Sequence, residues 1–225
     1  MILGRAFHAA MEYHFGRKLV EQIDPPIADT VQFFIENLNN EIEESTVQGE
    51  DGLVEEIDWN GEDKKKLLEQ GTKITTKYLT ELAPFMQPEF SEHWLEIPVN
   101  GQRINRLVGR VDLITKTGAV IDFKTVKYVW TREKLDTSLQ SFIYAVLLNR
   151  PIDFEYHFLV ARDDAATTSV RRLSRTEHDL DLILNNFLPQ VIAAIEACNF
   201  FPNPGLRCAY CSYNKSGDCG FSFPI

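Results

Sequence analysis

Asp112, Asp122 and Lys124 lie close together in the stretch GRVDLITKTGAVIDFKT, residues 109–125. Two carboxylates and an ammonium on one small surface can hold a hard divalent cation and steer a water molecule, the equipment of metal-dependent phosphodiester hydrolysis. Whether they share a surface depends on register. The segments 109–115 and 119–125 are rich in Val, Ile, Leu, Phe and Thr and flank Lys116, Thr117 and Gly118, so they read as paired antiparallel strands. A three-residue loop with Gly118 in the left-handed region sets Asp112 directly opposite Asp122, with Lys124 on the same face. A two-residue loop on Thr117 and Gly118 instead sets Asp112 opposite Phe123 and turns the carboxylates to different faces. The three-residue loop is the expectation.

Adjacent carboxylates repel unless one is protonated or a cation bridges them. Lys124 can be that cation, which leaves a bland alternative, an ordinary cross-strand ion pair on a solvated hairpin. Against it stands the apolar company. Val111, Leu113, Ile121 and Phe123 suit the opposite face of a central strand, and Val120 intrudes on the charged face. Hard oxygen ligands there suit magnesium or manganese rather than zinc.

Such a hairpin needs helices to complete it. Phe7, Met11, Phe15 and Leu19 recur at helical spacing, and His8 and Glu12 form an i, i+4 pair on a neighbouring face. His14 and His157 read as structural, His157 lying in the apolar strand FEYHFLVA. Downstream, Asp136 or Thr137 is placed to cap a helix whose apolar positions Leu139, Phe142, Ile143, Val146 and Leu147 face a core. Gln140 and Tyr144 sit one turn apart beside them.

In this order the motifs GRVDLI, VIDFKT and QSFIY resemble the PD-(D/E)xK nuclease superfamily, specifically its RecB-like branch. A histidine-bearing helix comes first in that branch, and Gly4, Arg5, Phe7, His8 and Glu12 in LGRAFHAAMEYHF look like it. The resemblance runs from about Gly4 to Cys219. It implies an α/β (α+β) fold, a restriction-endonuclease-like core with a central mixed sheet flanked by helices. It further implies that His8, Asp112, Asp122 and the backbone carbonyl of Phe123 bind the catalytic metal, and that Lys124 positions or activates the attacking water. Gln140 and Tyr144 support the site and substrate.

All four cysteines, Cys198, Cys208, Cys211 and Cys219, fall in one C-terminal segment, residues 198–219. The Cys208–Cys211 pair has the spacing of a soft-metal or cluster corner, open to zinc or iron-sulfur. Disulfides are the competing reading. No secretory signal peptide precedes the domain, and a chain of this size needs no disulfide staples, so a reducing cytoplasm is expected. Some RecB-like nucleases, including CRISPR-associated and AddB-type members, hold a four-iron cluster on one cysteine upstream of the histidine helix and three at the C-terminus. Cys208, Cys211 and Cys219 match those three, but no cysteine precedes Cys198. Four alternatives stand: the chain begins after the segment carrying the upstream ligand, Cys198 substitutes for it, the site is zinc, or the cysteines are reduced thiols.

The chain has 225 residues, 44% hydrophobic and 25% charged, enough for one globular domain over 1–225, and no run approaches a membrane span. The acidic stretch 40–66 reads as a helix end and an exposed loop. A formal net charge of −10 argues against a broad basic surface for long duplex DNA but allows a narrow basic channel. Lys127, Arg132, Arg110, Arg171 and Arg172 are candidate phosphate contacts, and Tyr128 and Trp130 candidate stacking platforms for a single strand. The element order is helical to about Leu82, then strands near 93–99 and 102–105 joined by Asn100-Gly101. After the catalytic hairpin and the Leu139 helix comes a hairpin of 154–161 and 168–173 around Asp163-Asp164. A last helix runs from about Thr176, bent at Pro189, with Cys198 at its end.

The function expected is a magnesium- or manganese-dependent DNA nuclease, an exonuclease acting on a single strand or duplex end. DNA repair, recombination, phage replication and CRISPR adaptation are its expected settings. The alternative is a non-catalytic DNA-binding or scaffold module that retains a nuclease fold.

Overall fold

The computed structural model describes residues 2–44, 64–161, 166–199, Cys208 and Cys211. Three helices come first: α1 (Ile2–Glu21), α2 (Ile27–Glu44) and α3 (Lys64–Glu81). Strands β1 (Pro88–Pro98), β2 (Arg106–Thr115) and β3 (Val120–Val126) follow, then the short α4 (Arg132–Asp136) and α5 (Leu139–Leu148). Strands β4 (Ile152–Ala161) and β5 (Ala166–Arg175) precede α6 (Glu177–Leu182), a π turn at Ile183–Phe187 and α7 (Leu188–Glu196). The strands form one five-stranded sheet in sequence order. Only β3 and β4 run parallel, and α4 and α5 make the crossover between them. This is the mixed, helix-flanked α/β sheet that the motif order implies.

Two apolar layers cover the sheet. Phe7, Met11 and Phe15 of α1 pack with Phe34, Leu38, Ile74 and Tyr78 onto Leu113, Ile121, Phe123 and Leu159. On the other side Tyr144, Ala145 and Leu147 of α5 and Leu180 of α6 meet Val111, Ile114, Val120, Phe154, Tyr156 and Phe158. Val111 therefore departs from the expectation that it shares a face with Leu113, Ile121 and Phe123. The side-chain alternation switches at Asp112, across from which Glu92 of β1 takes a positive φ of 48° and turns the strands locally.

The glycine-closed hairpin forms as expected. Gly118 has φ 85°, its N–H donates to the Thr115 carbonyl at 2.8 Å, and the Thr115 N–H donates to the Ala119 carbonyl at 3.0 Å. Leu113 pairs with Ile121 and Ile114 with Val120, the register that aligns Asp112 with Asp122.

Elsewhere the sequence expectations need correction. Residues 102–105 are not a strand, and Asn100-Gly101 is not a two-residue turn. The β1–β2 connection closes where the Val99 N–H donates to the Asn105 carbonyl at 3.0 Å. Glu196 of α7 holds this loop by accepting from the Arg103 N–H at 2.7 Å, a tertiary contact that local turn chemistry does not foresee. Neither Asp136 nor Thr137 caps α5; they end the separate turn α4, which Thr131 caps, and Ser138 is the N-cap residue of α5. The buried stripe of α5 is accordingly Ser141, Tyr144, Ala145, Val146 and Leu147, leaving Leu139 exposed. Thr176 and Asp179 form a reciprocal capping box on α6, and Pro189 opens α7 after the π turn. Asp163-Asp164 and residues 45–63 of the acidic stretch lie outside the described residues.

Candidate active site

The register that aligns Asp112 with Asp122 does not continue as a ladder. Beyond the Leu113–Ile121 pair, the Asp112 carboxylate accepts the Phe123 N–H at 2.8 Å. The backbone amide that would bond across the sheet is thus satisfied by a side chain. That leaves the Phe123 carbonyl for α1, where His8 Nε2 lies 3.0 Å from it. His8 Nδ1 is 3.5 Å from Asp112 Oδ2. Gly4 lets α1 approach this closely: a Cβ there would come within 2.9 Å of Thr125 Oγ1 at the end of β3.

Asp122 is almost fully enclosed, its side chain 1% exposed. Its Oδ1 accepts from Gln140 Nε2 at 2.6 Å, and Lys124 Nζ lies 2.5 Å from Oδ2. The same Gln140 amide donates to the Tyr144 hydroxyl at 3.1 Å, and that hydroxyl donates to the Arg110 carbonyl at 2.8 Å. The one-turn spacing on α5 thus ties β3 to β2 behind the carboxylates. His8, Asp112 and Phe123 form one bonded group and Asp122, Lys124, Gln140 and Tyr144 a second, joined through the adjoining residues of β3. A cleft of about 700 Å³ opens over them, lined by Arg5, His8, Glu92, Arg110, Asp112 and Lys124 among others; Asp122 lies beneath the cleft rather than in its lining.

The electrostatics of the site favour a cation. Burial, and then the charge of Asp112, push the Asp122 carboxyl up to about 6, against the opposing pull of Lys124. Burial alone would lower His8, but the hydrogen bond and charge of Asp112 outweigh it, so His8 is raised above its ordinary value. Burial and then Asp122 hold the Tyr144 hydroxyl well above the usual phenol range.

Sequence reasoning missed Glu92. Burial and Asp112 push its carboxyl up to about 7, partly offset by Arg110. One ligand atom each from His8, Glu92 and Asp112 lie within 4.8 Å of one another. Asp122 Oδ2 and Glu92 Oε2 are buried, and each is partnered by one cationic nitrogen, Lys124 Nζ at 2.5 Å and Arg110 Nε at 2.8 Å. Buried carboxylate oxygens beside an imidazole and a backbone carbonyl form a donor set that fits a hard divalent cation. Strand spacing gave no signal for Glu92, because its placement follows from a left-handed backbone that glutamate rarely adopts.

Other candidates fall elsewhere. Trp130 packs on Tyr156 and Phe158 at ring distances of 5.3 and 5.6 Å, with Lys134 Nζ 4.0 Å above it, so it is a packed ring rather than an open platform. Tyr128 is 72% exposed. Arg172 pairs with Glu155 at 2.7 Å and lines a different cleft. His14 and His157 are buried and bonded, His14 to Thr30 and Asp24 and His157 to Tyr78 and Glu155. Cys198 has a left-handed φ of 51° after α7 and is exposed, and the Cys211 N–H donates to the Cys208 carbonyl at 3.3 Å. Cys219 lies outside the described residues. No described helix is long and apolar enough to cross a membrane.

The family model described as the PD-(D/E)XK nuclease superfamily matches residues 2–216. Among solved structures, a "Putative exonuclease" from Eubacterium rectale is similar at 12% identity and a TM-score of 0.51, over 88% of this chain and 75% of that one. The crystal structure of SSO0001 is similar at 16% identity and a TM-score of 0.42, covering 60% of this chain, which spans 61% of its length. Curated proteins give no significant sequence match.

Proposed function

Because this chain belongs to the PD-(D/E)XK nuclease superfamily, we propose that it is a magnesium- or manganese-dependent deoxyribonuclease of the RecB-like branch. It acts as one nuclease domain and as an exonuclease on a DNA single strand or duplex end, in repair, recombination, phage replication or CRISPR adaptation. The observation that carries this reading is the convergence of His8, Asp112, Phe123 and Lys124 in one cleft, with Asp122 paired to Lys124 beneath it.

In this reading His8, Asp112, Asp122 and the Phe123 carbonyl hold the cation. When bound, that ion polarises the scissile phosphate and lowers the pKa of a water. Lys124 faces the cleft from the carboxylate edge, placed to orient the attacking water and to lend positive charge to the phosphate. Gln140 keeps Asp122 from rotating, and Tyr144 anchors Gln140 to β2. Arg5 and Arg110 line the same cleft and supply phosphate contacts. The C-terminal cysteines, Cys198, Cys208, Cys211 and Cys219, form a separate zinc or iron-sulfur site in this proposal, which metal analysis of anaerobically purified protein tests.

The decisive experiment incubates end-labelled single-stranded and linear duplex DNA with manganese, with and without EDTA. The wild type should give products that EDTA prevents. Asp122→Ala and Lys124→Ala should lose roughly a hundredfold or more of the rate, the scale of removing one preorganised electrostatic group. Undiminished turnover in both folded variants sinks the assignment, and binding without cleavage by the wild type supports the scaffold alternative.

A further inference from the structure

The metal-binding reading leaves Glu92 without a role, yet its backbone and its carboxylate are both unusual. It sits inside a strand with φ 48°, where glutamate is strained. That conformation brings its side chain under the cleft, 6% exposed, with Oε2 buried. The nearest counter-charge is Arg110 Nε at 2.8 Å, on a side chain that is 56% exposed and lines the same cleft. On its other side are His8 and Asp112, with ligand atoms within 4.8 Å. A glutamate needed only to pair an exposed arginine could do so from the surface in relaxed strand geometry. Enclosing it beside Asp112 adds repulsion, which a cation would relieve.

We propose that Glu92 is a further protein ligand of the divalent cation, with Arg110 as its counter-charge in the cation-free protein. This rests on the metal-binding reading above and extends the ligand set to β1, so that the cation draws on α1, β1, β2 and β3 together.

The test measures manganese binding to the full chain by calorimetry, without nucleic acid, for the wild type, Glu92→Gln, Arg110→Gln and Asp112→Asn. Glu92→Gln should weaken manganese binding on the order of tenfold or more, at least the scale seen when groups supporting a metal are lost. Arg110→Gln should leave binding unchanged or tighter, because it removes a competitor for the carboxylate. Equal manganese affinity in Glu92→Gln and wild type overturns the proposal, as does equal weakening in Glu92→Gln and Arg110→Gln, the sign of a merely structural ion pair. Should Glu92→Gln fail to fold, Glu92→Asp decides: a shortened carboxylate should bind manganese more weakly, and wild-type affinity overturns the assignment. Loss of binding in Asp112→Asn with none in Glu92→Gln sinks the role of Glu92 alone. Absence of manganese binding in the wild type sinks the metal site itself.

Discussion

Single side chains here work through one another. The Tyr144 hydroxyl joins Gln140 to the Arg110 carbonyl. Tyr144→Phe should remove the hydroxyl's bonds to that carbonyl and to Gln140, leaving Gln140 held by Asp122 alone, at a cost of about 1–2 kcal/mol in urea unfolding. It should also slow cleavage by loosening Asp122, with little effect on nucleic-acid binding. A second residue reports on stability alone. Glu155 is held down at about 2, first by the hydrogen bond with His157, which outweighs burial, and then by Arg172. A carboxylate with a depressed folded-state pKa stabilises above its unfolded value and loses that contribution as pH falls through the folded one. Glu155→Gln should therefore be less stable than wild type at neutral pH by roughly 2 kcal/mol, and the gap should narrow from about pH 4.5 towards 2. Urea midpoints measured across that range check it, and a constant gap excludes the ionised pair as its cause.

At the scale of elements, the site depends on how closely α1 lies on β3. A Cβ on Gly4 would meet Thr125 Oγ1 at 2.9 Å. Gly4→Val should push the helix outward and carry His8 away from the Phe123 carbonyl. Manganese affinity should fall while the fold survives, at a stability cost of about 1–3 kcal/mol. Calorimetry and thermal melts on the same sample separate the two effects. The hairpin and the helical crossover impose the complementary constraint, because β3 must lie antiparallel to β2 and parallel to β4 to bring Asp122 under α5.

Across the whole molecule the net charge is −10, and the cleft sets three cations, Arg5, Arg110 and Lys124, beside the carboxylates of Glu12, Glu92 and Asp112. Binding through so few cations should release few counterions. The slope of log affinity against log salt for single-stranded DNA should be about −2, from three phosphate contacts. Fluorescence anisotropy in calcium, between low and moderate salt, measures it. A slope several times steeper would point to a broad basic surface outside the cleft.

Much of this was legible locally. Gly118 after Lys116-Thr117 specified the hairpin register, because only a left-handed residue closes that loop, and the register aligned Asp112 with Asp122. Helical spacing put Phe7 and Met11 in the core and left His8 beside them, and the one-turn spacing of Gln140 and Tyr144 held. Local pattern misread the Asn100-Gly101 loop, whose amides bond to Glu196 from the far end of the chain, and misplaced the α5 cap. Glu92 could not be read at all, since nothing in PEFSEHWLEIP marks a positive φ. The sequence by itself determined the chemistry available and the elements that carry it, because spacing within a strand or helix dictates which side chains share a face. Only the tertiary structure decided which carboxylates are buried and where they converge, because that depends on contacts among α1, β1, β2, β3 and α5.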